Sequence, residues 1–106
     1  MFKVIGTDTY LKEIDKWPGA YKEIALNKMP KQLANNPFRG DPLGYAFLRE
    51  KRIKEKRIYY LIYEDLSLVL LVAVSGKKDQ QVTINYIKHK LEEYRKIAEE
   101  ISKQVF

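Results

Sequence analysis

Apolar positions are densest between Phe47 and Lys78, and their spacing changes along that stretch. Leu68 to Val74 is apolar throughout, the pattern of a strand covered on both faces. Arg57 to Tyr63 is branched and aromatic, which suits a packed, pleated surface. Tyr45 to Ile53 is a third strand candidate, with polar and apolar residues mixed. Lys54-Glu55 and Glu64-Asp65 fall between these runs as turns, and Ser75-Gly76 ends the last one. Strands joined by such short connections pair antiparallel.

The flanking segments carry a helical period. Phe2 to Ile5 makes a short first strand that ends at Gly6. Thr7 and Asp8 each offer a side-chain oxygen to cap the helix that follows, in which Leu11, Ile14 and Trp17 share a side. Trp17-Pro18-Gly19 ends that helix, because proline disfavours helical geometry in the residue before it. Ala20 to Asn35 is a second helix, with Tyr21, Ile24, Ala25, Met29 and Leu33 near helical spacing. Pro30 lies inside it, removes a backbone donor and crowds the preceding turn, so a kink or break is expected near Lys28. The two helices form a hairpin on the sheet, and Asn35 to Pro42 connects them to the next strand. Asp79 to Val105 reads as one long helix with Val82, Tyr86, Ile87, Leu91, Tyr94, Ala98, Ile101 and Val105 on a broad stripe. Its length exceeds what a small sheet covers, which leaves its distal end to meet a second copy of the chain. The fold class is α+β: an N-terminal strand and helical hairpin packed on an antiparallel sheet, with a long C-terminal helix. Residues 1–106 form a single domain.

Composition narrows the chemistry. There is no cysteine, so a thiol nucleophile, a disulfide framework and Cys-ligated zinc are excluded. His89 is the only histidine, too few for a multi-histidine metal site. No metal site and no cofactor is expected. No apolar run is long enough to span a membrane and no signal peptide precedes the fold, so a cytoplasmic location without membrane contact is expected. The net charge of +6 favours an anionic partner.

That charge is concentrated. From Arg49 to Arg57 the chain reads REKRIKEKR, in which Arg49, Lys51, Arg52, Lys54, Lys56 and Arg57 are cationic. Alternate residues of a strand share a face, so Arg49 and Lys51 point one way and Glu50 and Arg52 the other. Arg52 and Arg57 flank one turn, Glu64-Asp65 marks the opposite turn, and the chain then returns to Lys77 and Lys78. Strand parity therefore brings Arg52, Arg57, Lys77 and Lys78 to one end of the sheet. Four cations on a rigid support suit a polyanion, although charges at strand ends also protect a sheet from edge pairing. No phosphate-binding glycine loop or Ser/His/Asp set is present.

The order of elements resembles the RelE/ParE toxin superfamily of toxin–antitoxin systems, including its HigB-like branch. The matching pieces are Asn36-Pro37-x-x-Gly40-x-x-Leu43, the Leu48 to Ile53 strand, Lys56-Arg57-Ile58-Tyr59-Tyr60, and Gly76-Lys77-Lys78 followed by Asp79-Gln80-Gln81-Val82-Thr83. The resemblance covers nearly the whole chain. It implies a ribosome-dependent messenger RNA endoribonuclease, held in check by a cognate antitoxin. Cleavage would proceed by attack of a ribose 2′-OH on the adjacent phosphate, without a metal. Under this resemblance Arg57 and Lys78 stabilise the phosphate charge, and Arg52 and Lys77 position the RNA backbone. Arg49, Lys51, Lys54, Lys56 and Gln81 bind RNA. Glu50 stands where many relatives carry a basic residue, as a base or as an ion-pair partner of Arg52. Tyr86 is out of register with the tyrosine that several relatives use. Two alternatives stay open: a catalytically inactive binding protein on this fold, and a ParE-like toxin directed at DNA gyrase.

Overall fold

The computed structural model describes residues 1–105. A five-stranded sheet in the order β1-β5-β4-β3-β2 is covered on one face by the N-terminal helices and on the other by the C-terminal ones. Its strands are β1 (Lys3–Gly6), β2 (Asp41–Pro42), β3 (Leu48–Ile53), β4 (Lys56–Tyr63) and β5 (Leu68–Ser75). Strands β2 to β5 are antiparallel neighbours, and β1 joins β5 in parallel. The parallel pair follows from the helical crossover that separates the two strands in sequence.

The helical hairpin comprises α1 (Asp8–Asp15), α2 (Gly19–Glu23) and α3 (Met29–Asn35). The Thr7 side chain accepts from the Tyr10 N–H and caps α1. The break expected near Lys28 is a π-helical turn, Ile24–Lys28, in which the Met29 N–H reaches back to the Ile24 carbonyl. Pro30 explains it: the wider turn relieves the crowding of its ring against the preceding carbonyls. This hairpin buries Tyr10, Ile14, Ala25, Met29 and Leu33 against Ile53, Ile58, Tyr60, Ile62, Val69 and Leu71.

Two sequence expectations are corrected. The third strand begins at Leu48, not Tyr45. Residues 43–47 form a tight loop in which Leu43 N–H donates to Leu48 O, Leu48 N–H donates to Tyr45 O, and Gly44 takes φ +96°. The C-terminal helix is two helices, α4 (Gln80–His89) and α5 (Leu91–Val105). At Lys90 the backbone turns to φ −109°, ψ 12°, and its N–H bonds Ile87 O. The buried stripe shifts accordingly. Ile84, Ile87, Tyr94 and Ala98 are buried, while Val82 and Tyr86 face outward. Val105 ends the helix, and its side chain lies outside the described ones. The break lets α5 swing onto the turn after β4, where Arg95 grips Asp65 through two bonds of 3.0 and 2.6 Å. Among the described residues, no helix is long and apolar enough to cross a membrane.

Candidate functional site

The ladder fixes one end of the sheet. Arg52 lies opposite Arg57, and Arg57 opposite Ser75, so the three share a face at the end of β3, β4 and β5. One step inward, Glu50 lies opposite Tyr59 and Tyr59 opposite Ala73. Helix α4 crosses this face and starts directly above it, with Gln80 as its first residue.

The result is a buried polar cluster. Glu50 is 3% exposed and Arg57 5%. Arg57 Nε lies 3.2 Å from Glu50 Oε1. It lies off the hydrogen-bond line, so this buried donor has no hydrogen-bond acceptor. The pair is held mainly by charge. Gln80 Nε2 donates to both Glu50 oxygens, at 3.0 and 2.7 Å. The Tyr59 hydroxyl sits 2.8 Å from Ser75 Oγ, which donates to Gly76 O. Burial pushes the Tyr59 hydroxyl above its ordinary range, so this tyrosine stays protonated at neutral pH.

The remaining predicted residues divide between the faces and the edge. Arg52, Lys77, Lys78 and Gln81 are exposed, the lysines lying between β5 and α4. Lys51 and Arg52 line an open cleft of about 310 Å³ with Arg39, Gly40, Asp41 and Glu50. Among the described residues, Arg39, Lys51, Arg52, Lys77 and Lys78 form no ion pair. Lys54 and Lys56 turn to the hairpin side, 5.9 Å from the Tyr21 ring and 5.5 Å from the Trp17 ring. Arg49 is tied to backbone, with Nε donating to Ala46 O and Nη1 to Phe38 O and Gly40 O. Tyr86 and His89 lie further along α4, six and nine residues past Gln80, which at about 1.5 Å per residue places them well away from the cluster.

Gly40 and Tyr60 fix the wall of the cleft. The Tyr60 hydroxyl donates to Pro37 O at 2.6 Å and accepts from the Gly40 N–H at 3.0 Å. A Cβ on Gly40 would sit 2.5 Å from both Glu50 O and the Tyr60 hydroxyl, so only glycine fits.

Sequence reasoning did not find Gln80 as the partner of Glu50, the burial of Arg57, or Arg39 in the cleft. Arg57 alternates with Tyr59 and Leu61 on the face that α4 covers. That period-two pattern was a readable signal for its burial. Among the described residues, no group of three or more His, Asp and Glu side chains is placed to hold a metal ion.

Comparisons with solved structures give a consistent fold. The chain is similar to a doubly substituted Escherichia coli RelE toxin in the free state, at 16% identity and a TM-score of 0.69 over 83% of this chain and 96% of that one. It is similar to a chain of the Mycobacterium tuberculosis RelBE2 toxin–antitoxin complex, at 23% identity and a TM-score of 0.63 over 71% of this chain and 90% of that one. A chain of the archaeal RelE–RelB complex from Pyrococcus horikoshii matches at 14% identity and a TM-score of 0.56, over 72% of this chain and 94% of that one. No family model matches the chain, and no curated protein matches it significantly. The chain therefore has the RelE-like toxin fold, α+β with a mixed five-stranded sheet.

Proposed function

We propose that the protein is the toxin of a toxin–antitoxin pair and cleaves messenger RNA on the ribosome. The observation that carries this reading is the set of unpaired cations Arg39, Lys51, Arg52, Lys77 and Lys78 at one end and edge of a RelE-like sheet. Cations without internal counter-ions are free to meet a polyanion, and the sheet holds them in place.

In the proposed reaction the ribose 2′-oxygen attacks the adjacent phosphorus and loses its proton to a base. The P–O5′ bond breaks, and the 5′ oxygen takes up a proton. The products carry a 2′,3′-cyclic phosphate and a 5′-hydroxyl. Arg52 and Lys77 hold the RNA backbone so that attack is in line. Lys78 stabilises charge on the nonbridging oxygens, supported by Arg57 from within the sheet. Because Glu50 matches Arg57 in the folded chain, the exposed cations meet the phosphate first. The test is cleavage on translating ribosomes by an Arg57→Ala, Lys78→Ala variant, with Lys78→Ala alone as the variant that leaves the buried pair intact. Each loses cleavage by about a hundredfold or more; cleavage at the wild-type rate rejects the site.

The antitoxin partner is part of the same proposal. A groove of about 420 Å³ runs between α1, the end of β5 and the α4–α5 corner, lined by Tyr10, Val72, Val74, Val82, Tyr86 and Ile97 among others. Strand β1 pairs only with Leu68 to Leu71, so the outer edge of β5 beyond Leu71 has no neighbouring strand among the described residues. The Tyr10 hydroxyl is buried without a partner. Such a groove suits an added segment of a second protein. Val82→Asp is expected to weaken capture of the small protein encoded beside the toxin, without changing RNA cleavage.

The Glu50–Arg57 pair favours one second reading, a binding protein on this fold without nuclease activity. It predicts tight partner binding and intact messenger RNA on translating ribosomes.

A further inference from the structure

At the far end of β3 from the basic cluster, two aromatic rings stand in the open. Tyr45 is 44% exposed and Phe47 38%. Their rings stack with centroids 4.8 Å apart and planes within 18°. The tight loop at residues 43–47 holds them there, through the Leu43–Leu48 and Leu48–Tyr45 backbone bonds. Lys88 Nζ, from the last turn of α4, lies 5.6 Å from the Tyr45 ring centre. Gly44 makes room for it: a Cβ there would sit 3.1 Å from Lys88 Nζ.

The rings are connected to the basic end. Arg49 bonds Ala46 O between them and, through Nη1, Phe38 O and Gly40 O. Its guanidinium stacks 5.0 Å from the exposed Phe38 ring. Gly40 in turn lines the cleft that holds Arg39, Lys51 and Arg52. Phe47 and Arg52 are five residues apart along one edge, a span of about 16 Å. Among the described residues, Lys88 and Arg49 form no ion pair, as holds for the cleft cations.

We propose that the Tyr45–Phe47 stack with Lys88 is a base-stacking site for single-stranded RNA, whose backbone runs from it along the β2–β3 edge to Arg52. The chemistry discriminates between partners. The carboxylates of an acidic peptide satisfy the cations but do not stack on a flat, exposed ring pair. A nucleic acid strand offers phosphates for the cations and π-faces for the rings, and stacking on aromatics tolerates any base. The proposal rests on the RNA-binding reading of the basic end and adds a second, sequence-tolerant contact to it.

The test uses the full chain and two fluorescent oligoribonucleotides of equal length, one normal and one with its bases removed. Both carry the same phosphates. The wild-type protein is expected to bind the base-bearing strand roughly tenfold more tightly. Tyr45→Ala with Phe47→Ala removes that preference and leaves the abasic affinity unchanged. Lys88→Gln and Arg52→Ala weaken both strands alike. Equal wild-type affinity for the two strands overturns the proposal, and that comparison needs no variant to fold. A preference that survives in the double variant, with its circular dichroism intact, also overturns it. The two readings fail separately. If Arg52→Ala changes neither affinity, the basic end is not an RNA site. If Arg52→Ala weakens binding but the wild type ignores the bases, only the stacking site falls.

Discussion

Glu50 and Arg57 concentrate the most energy at single positions. Both are nearly fully buried, and the pair has one close approach of 3.2 Å. Removing one charge leaves the other desolvated and unmatched. Glu50→Gln is therefore expected to destabilise the fold by about 3–5 kcal/mol, whereas replacing both residues with Met should cost far less. Urea unfolding of these two variants beside the wild type checks this. Gly40 makes a steric prediction. Gly40→Ala places a methyl group against the Glu50 carbonyl and the Tyr60 hydroxyl, at a cost of about 1–3 kcal/mol. Tyr60→Phe loses two hydrogen bonds to the same loop and should cost about 1–3 kcal/mol. At this scale the sequence was informative about which cations exist and where strand parity puts them. It offered Glu50 as an ion-pair partner of Arg52, whereas the buried partner is Arg57 with Gln80 beside it, because Glu50 meets these groups only once the strands pair and α4 lies across the sheet.

Turns and helix junctions decide the elements. Ser67 adopts φ 49°, ψ 43°, the left-handed region, in the turn that feeds β5. Ser67→Gly relieves that strain and is expected to raise Tm by a few degrees, consistent with about 1 kcal/mol; a fall in Tm contradicts the account. The α4–α5 break was hidden from periodicity. Val82 and Tyr86 are spaced as regularly as Ile84 and Ile87, and only packing selects the second pair for burial. The kink in the second helix was legible because Pro30 enforces it locally. The same division explains the misplaced start of β3. Tyr45 and Phe47 have strand-forming side chains, but Gly44 and the two backbone bonds of the loop hold them outside the ladder.

At the scale of the molecule, both faces of the sheet are spent on packing, and function is left to its ends and edges. Burial holds the Tyr63 and Tyr94 hydroxyls up at about 12, and the Tyr10 hydroxyl is raised as well. A group whose pKa is raised on folding stabilises the fold below its unfolded value and loses that contribution as pH rises through the folded one. The protein is thus expected to hold its fold to about pH 10 and unfold between pH 10 and 12, with ionisation of these three buried tyrosines coincident with loss of circular dichroism. Ionisation of Tyr10, Tyr63 and Tyr94 near 10 in an intact fold contradicts this. Asp65 acts in the opposite direction. The hydrogen bonds from Arg95 depress its pKa, so its contribution is present above the ordinary aspartate range and is lost as pH falls through the folded value. Asp65→Asn should make the acid transition less steep.

The fold was legible in the sequence because the buried β5 run, the aromatic β4 and the capped α1 each state their place locally. The site was legible only as a cluster of charges. We propose that these charges direct 2′-OH attack on a phosphate of ribosome-bound messenger RNA, and the chemistry of the RNA ends after the purified protein meets translating ribosomes decides it. New 5′-hydroxyl and 2′,3′-cyclic phosphate ends that disappear in Lys78→Ala are expected. Intact messenger RNA, or fragments bearing 5′-phosphates, would overturn the proposal.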